Sequence, residues 1–198
     1  MEKKILDPCC GSRMFYFNKN DERVDFRDIR TLDTTLCDGR SLIIEPDTIG
    51  DVCNIDAPDE SFALVIFDPP HLTTGNGWQV QKYGKLPKDW KDWMTKAFSE
   101  CWRVLAVNGT LIFKWYEYTI PIQEVLKCAP AKPLLGNRKP MNSKTHWMVF
   151  FKSEEPKSSE AEKPNCKNCW TPDCQMLGCD MEPCPSYTYP PADASEQN

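Results

Sequence analysis

Two short segments of this chain carry residue types that can do chemistry. Asp68-Pro69-Pro70-His71 closes the apolar run Ala63 to Phe67. A charged group at the end of such a run needs a reason to lie there, because burying a charge is costly unless it is paired or used. Asp68 offers a carboxylate acceptor, and Pro69 keeps its carbonyl while its ring stiffens the turn. His71 adds an aromatic surface that can also donate a hydrogen bond or take a proton. The bland alternative is a Pro-Pro pair that merely ends a strand. The second segment, Asp7-Pro8-Cys9-Cys10-Gly11-Ser12, follows the first apolar stretch. Gly11 lets the backbone come close to a ligand there, and the Asp7 carboxylate suits a ligand's cationic end. Spacing alone fits an ordinary turn as well.

The elements that must hold these segments read as an alternation of strands and helices from Lys4 to Lys152. Strands are expected at Lys4 to Leu6, Val24 to Ile29, Thr48 to Val52 and Ala63 to Phe67, the last apolar enough for a strand buried on both faces of a parallel sheet. Asn108-Gly109 is a turn leading into a strand at Thr110 to Trp115, and Thr145 to Lys152 closes the domain with β-rich residues. Helices are expected at Ser12 to Lys19, at Trp90 to Val104, where Trp90, Met94, Ala97, Phe98 and Cys101 recur at helical spacing, and at Ile122 to Lys127. Between the second and third strands, residues 40 to 47 are strand-like where a helix would be usual. The pattern predicts an α/β fold with helices on both faces of the sheet. In such sheets ligands bind outside the carboxyl ends of the strands, where both segments fall.

With that frame, Asp7-Pro8-Cys9-Cys10-Gly11-Ser12 resembles the Asp-Pro-x-x-Gly-Ser-Gly motif of class I methyltransferases that act on amino groups of nucleobases. Arg13 stands where the second glycine is expected, and its long side chain could cover the cofactor or reach a substrate phosphate. Asp68-Pro69-Pro70-His71 resembles the Asp/Asn-Pro-Pro-aromatic motif of the same enzymes, in the compact form found in phages and bacteria. The resemblance spans residues 4 to 152. It implies a Rossmann-like class I methyltransferase sheet, mostly parallel with an antiparallel last strand. It also implies S-adenosylmethionine as cofactor, held by Asp7, Pro8, Cys9, Gly11, Asp28, Asp51 and Val52, with Asp28 on the ribose and Asp51 on the adenine amino group. Catalysis would fall to Asp68, Pro69, Pro70 and His71. An exocyclic amine is a poor nucleophile, its lone pair delocalised into the ring. The Asp68 carboxylate and the Pro69 carbonyl would accept its two N–H bonds and aim the lone pair, a gain of position and electrostatics. His71 takes the place of the residue that stacks on the base. The expected reaction is methylation of an exocyclic amine, adenine N6 in DNA first. RNA guanine and a protein or small amine are alternatives, as is a non-catalytic S-adenosylmethionine- or zinc-binding accessory protein.

The expected partner is nucleic acid, DNA before RNA, with a protein partner for target recognition since no separate recognition domain fits. Leu72 to Lys88 interleaves Trp78 and Tyr83 with lysines, and residues 136 to 144 form a second basic loop; both suit a flipped base and its phosphates, or an ordinary solvated surface. The net charge of -5 argues against coating nucleic acid through bulk electrostatics. Much of the acidity lies between Glu154 and Glu196, so residues 1–152 are read as the catalytic domain and 153–198 as a flexible acidic tail. In that tail Cys166, Cys169, Cys174 and Cys179, with Cys184 beyond, could supply four thiolates to zinc or be incidental thiols. Cys9, Cys10, Cys37, Cys53, Cys101 and Cys128 read as reduced thiols. With no signal-peptide pattern and no long apolar stretch, the expected location is the cytoplasm, away from membranes.

Overall fold

The computed structural model describes residues 3–137 and 143–154. Its strands are β1 (Ile5–Asp7), β2 (Val24–Asp28), β3 (Leu32–Thr35), β4 (Ser41–Ile44), β5 (Thr48–Ile49), β6 (Phe62–Phe67), β7 (Leu105–Tyr116), β8 (Leu135–Gly136) and β9 (Thr145–Phe151). The helices are α1 (Trp78–Tyr83), α2 (Trp90–Val104) and α3 (Ile122–Leu126). Seven strands form one sheet in the order β5-β2-β1-β6-β7-β9-β8. The first five run parallel, and β9 and β8 run antiparallel to their neighbours. This is the expected Rossmann-like sheet, mostly parallel with an antiparallel end. No described helix is long and apolar enough to cross a membrane.

Period-two burial sets the faces. Leu6, Val65, Phe67, Leu111, Phe113 and Phe150 are buried together on one face, and α2 lays Met94, Ala97, Phe98 and Cys101 against them. Phe98 is the hub, its ring 5.1 Å from Phe67 and 4.9 Å from Phe113. Burying each such side chain stabilises the fold by roughly 1.5–3 kcal/mol, which is why the helical spacing from Trp90 onward was legible. On the other face a smaller cluster of Cys10, Val24 and Phe26 packs with Ile5 and Tyr16.

The helix expected at Ser12 to Lys19 does not form; the segment is a series of turns. Arg13 takes a left-handed φ of 54°, incompatible with a right-handed helix, and Tyr16 is drawn inward to Asp7. Gly11 therefore does not open a helix. The strand-like reading of residues 40 to 47 is met by β4, which pairs with β3 as an antiparallel hairpin where a helix would be usual. The strand expected at Thr48 to Val52 stops at Ile49, because Asp51 turns back to bridge Asn54. Within Leu72 to Lys88, the first of the two basic loops, the 6 residues Trp78–Tyr83 form α1. Asn108-Gly109 does not precede β7 but lies inside it, as a bulge with Asn108 at φ 62°. A Cβ on Gly109 would lie 2.7 Å from the Ala106 carbonyl oxygen and 3.0 Å from that of Ala63, so only glycine fits between two backbones.

Candidate active site

The parallel strands deliver their carboxyl ends to one edge of the sheet, and the register decides which side chains meet there. Phe67 of β6 pairs with Phe113 of β7. The next residue on each strand is therefore Asp68 beside Lys114. The Lys114 ammonium donates to both carboxylate oxygens, at 2.8 and 2.7 Å. Burial pushes the Asp68 carboxyl above the usual carboxylate range, and Lys114 opposes that push.

Two cavities open on either side of Asp68. The larger, about 210 Å³, is lined by Pro8, Cys9, Asp28, Ile29, Gly50, Asp51, Val52, Pro70 and Trp93. The Gly50 N–H donates to the Asp28 carbonyl (3.1 Å), which folds the start of the Asp51 segment against the end of β2. Val52 is buried, while Asp51 keeps one oxygen on the Cys53 N–H (2.9 Å). From α2, Glu100 accepts the Ile55 N–H and Arg103 donates to the Ile55 and Ala57 carbonyls, which fixes the rest of the segment.

This cavity suits an adenosine group. It combines two carboxylates for hydroxyl and amino donors with apolar walls from Ile29, Val52, Pro70 and Trp93, the mix of apolar lining and a few polar groups usual in small-molecule sites. No side chain intrudes at Gly50 or Gly11. Asp28 is fully engaged, however. Its oxygens accept the Gly11 N–H (3.0 Å), the Arg30 N–H (3.0 Å) and the Arg30 guanidinium (3.1 and 3.4 Å). Ribose hydroxyls would reach Asp28 by displacing that guanidinium.

The smaller cavity, about 40 Å³ and open to solvent, lies against Asp68, Pro69 and His71, with Gly11, Ser12, Met14, Phe15, Lys82 and Lys114. Cys9, Arg30, Asp68 and Tyr83 border both cavities. His71 is buried among aromatic rings, with centroids 5.2 Å from Tyr116, 5.4 Å from Tyr83 and 6.5 Å from Trp115. Burial, with Lys114 nearby, lowers its pKa to about 4, so the ring is neutral near pH 7. Burial likewise pushes the Cys9 thiol well up and the Cys10 thiol up to about 12, so neither is a thiolate nucleophile at neutral pH.

Of the residues singled out in the sequence, Pro8, Asp28, Asp51, Val52 and Pro70 line the larger cavity, Gly11, Pro69 and His71 the smaller, and Cys9 and Asp68 both. Asp7 lines neither. It is completely buried, accepting the Tyr16 hydroxyl at 2.8 Å and the Cys9 N–H at 3.2 Å, so it braces the loop from beneath. Arg13 also points elsewhere. Its guanidinium lies 4.0 Å over the Phe26 ring and donates to the Lys19 and Glu45 carbonyls and to Asp47. It lines neither cavity. His146 bonds Glu117 at 3.0 Å, beneath the start of α3, whose Ile122 N–H that same carboxylate accepts. Sequence reasoning missed Lys114 and Arg30. The signal for Lys114 was the one that exposed Asp68, a charge inside the apolar run Leu111 to Trp115.

Residues 138–142 of the second basic loop, and Cys166, Cys169, Cys174 and Cys179 of the proposed zinc set, lie outside the described residues. Among the described residues no group of His, Cys, Asp or Glu could hold a metal ion.

No protein-family model matches this sequence, and no curated protein matches it either. Among solved structures, the chain is similar to a protein of Pyrococcus horikoshii OT3 at 16% identity, with 76% of this chain and 81% of that one covered and a TM-score of 0.47. It is also similar to the 1,6-didemethyltoxoflavin-N1-methyltransferase of Burkholderia thailandensis, whose structure holds 1,6-didemethyltoxoflavin and S-adenosylhomocysteine. That likeness has 14% identity, 76% and 71% coverage of the two chains and a TM-score of 0.44.

Proposed function

We propose that this chain is a methyltransferase that moves the methyl group of S-adenosylmethionine to an exocyclic amino group, adenine N6 in DNA first. The observation that carries the reading is the position of Asp68 in the wall between two cavities, one suited to an adenosine group and the other open to an acceptor. Pro8, Cys9, Asp28, Asp51 and Val52 would hold the cofactor. When bound, S-adenosylmethionine supplies a methyl group on a sulfonium, which an amine nitrogen takes with its lone pair while the bonding electrons return to sulfur.

The chain's own part is to hold that nitrogen and relieve it of a proton. Asp68 accepts one amine N–H, the Pro69 carbonyl accepts the other, and the proton shed by the nitrogen passes to Asp68 and on to solvent. The Pro69-Pro70 turn keeps carboxylate and carbonyl at a fixed spacing, the positional gain that such catalysis depends on. His71, neutral and boxed in by Tyr83, Trp115 and Tyr116, supports the wall of the acceptor cavity more than it offers a free face for stacking.

The test is transfer of labelled methyl from S-adenosylmethionine to unmethylated DNA, to RNA and to a total protein extract in parallel, with Asp68→Ala as control. Label in DNA that disappears in the variant, while calorimetry shows the variant still binding S-adenosylhomocysteine, is the expected result. Label in RNA or protein alone moves the substrate. Cofactor binding without transfer to anything leaves a non-catalytic accessory protein as the better description.

A further inference from the structure

Lys114 lies on the wall of the acceptor cavity and is the direct partner of the group proposed to receive the amine. Its side chain and that of Asp68 are each 19% exposed, so the pair sits at the cavity surface with little water to screen it. Two rings flank the ammonium, Phe15 at 5.7 Å and Trp147 at 5.9 Å, and keep it from swinging away from Asp68.

We propose that Lys114 is a positioning residue that holds both Asp68 oxygens in place, leaves a lone pair for the one N–H that Asp68 accepts from an incoming amine, and makes the site select a neutral acceptor over a cationic one. The inference rests on the methyltransferase reading above and adds the class of acceptor. A carboxylate oxygen has two acceptor directions, so one filled by Lys114 leaves one for the substrate. A free Asp68 would attract an alkylammonium as its counter-ion. Paired with Lys114 it carries no net charge to offer, and Lys82 adds a further cation to the same wall. An ammonium also has no lone pair with which to attack. The amine of a nucleobase is neutral near pH 7, meets no repulsion here and needs only its N–H bonds accepted.

The charged and titratable groups around the pair are few. Asp7 faces it from β1, Cys9 from the loop that follows, His71 from the same turn, and Arg30, Lys82 and Tyr83 from the cavity rim. Removing the ammonium takes away what opposes the burial of Asp68, so its carboxyl should hold its proton to higher pH and turn from acceptor into donor.

The full-length protein, labelled with 13C at the aspartate carboxyl carbon, would be titrated by NMR, with the Asp68 resonance assigned by its loss in D68N. The expected result is a midpoint at least one pH unit higher in K114M than in wild type and restored toward wild type in K114R, which keeps the cation. K114Q serves should K114M fold poorly. An unmoved midpoint in a folded variant overturns the proposal. In the second arm, wild-type protein with labelled S-adenosylmethionine should label unmethylated DNA at least tenfold faster than a lysine-rich peptide, with the preference and kcat falling in K114M. Equal or faster labelling of the peptide overturns the selectivity. If the midpoint moves as expected but neither probe is labelled, the positioning role stands and the methyltransferase reading is what fails.

Discussion

Arg30 joins Asp28 at the end of β2 to the last turn of α1. Its Nε lies 3.1 Å from one Asp28 oxygen, and its Nη1 donates to the Gln81 carbonyl at 3.2 Å. The guanidinium thus ties the carboxylate of the larger cavity to the helix whose Lys82 and Tyr83 border the smaller cavity. Helix α1 buries none of its residues and has no side-chain cap, so beyond the packing of Tyr83 on His71 little else holds it.

Arg30→Ala should therefore loosen α1 selectively. Amide hydrogen exchange of residues 78–83 is expected to quicken at least tenfold, while that of α2 stays as it was. Equal exchange in both proteins would show that α1 is held without the guanidinium.

Two buried groups should oppose each other in the dependence of stability on pH. Burial raises Asp7 to about 7, against the pull of Tyr16 and Cys9, so the native state keeps a proton that the unfolded chain loses above about pH 4. That contribution destabilises as pH rises from about 4 through 7, by on the order of 4 kcal/mol in all. His71 is depressed to about 4, so the unfolded chain gains a proton first and stability is lost as pH falls from about 6.5 through 4. Asp7→Asn keeps an acceptor for the Cys9 N–H and should leave a protein more stable than wild type at pH 8. Its Tm should fall more steeply than wild type's on acidification below about pH 6.5. Thermal melts across that range measure both, and parallel curves for the two proteins would refute the protonated Asp7.

Arg13 offers a separation of strain from contact. Arg13→Ala keeps the left-handed backbone and loses the guanidinium's bonds to Lys19, Glu45 and Asp47 and its cover of Phe26. A loss of roughly 2 kcal/mol is expected by urea unfolding. Arg13→Gly loses the same contacts but relaxes the backbone, and should be the more stable of the two by about 1 kcal/mol. Cofactor binding should survive in both, since the side chain faces away from the cavities.

Gly109→Ala places a methyl against two backbone carbonyls that cannot step aside. A loss of roughly 2–4 kcal/mol is expected, read as a drop in Tm, without a local effect on the cavities, which β7 reaches only at Lys114 further along the strand. A variant as stable as wild type would mean that the bulge at Asn108 can move.

The sequence by itself determined the alternation of apolar runs that makes the sheet, the period of α2, and the Asp-bearing segments at the carboxyl ends of β1, β2 and β6. Each is a local signal. A strand shows its buried face every second residue, a helix shows its face every third or fourth, and a charge at the end of an apolar run stands out against its neighbours. The turns at residues 12 to 19 were not legible, because a left-handed Arg13 and the pull of buried Asp7 on Tyr16 override helical spacing from outside the segment. Helix α1 was hidden for the opposite reason: with no buried face it has no period to read. What only the tertiary structure decided is the pairing of residues far apart in the chain. The register of β6 with β7 brings Lys114 to Asp68, 46 positions away. The return of β2 beside β1 brings Gly11 to Asp28, 17 positions away. A hydrogen bond needs donor and acceptor within about 3 Å, and that distance is set by strand register, which belongs to no single segment.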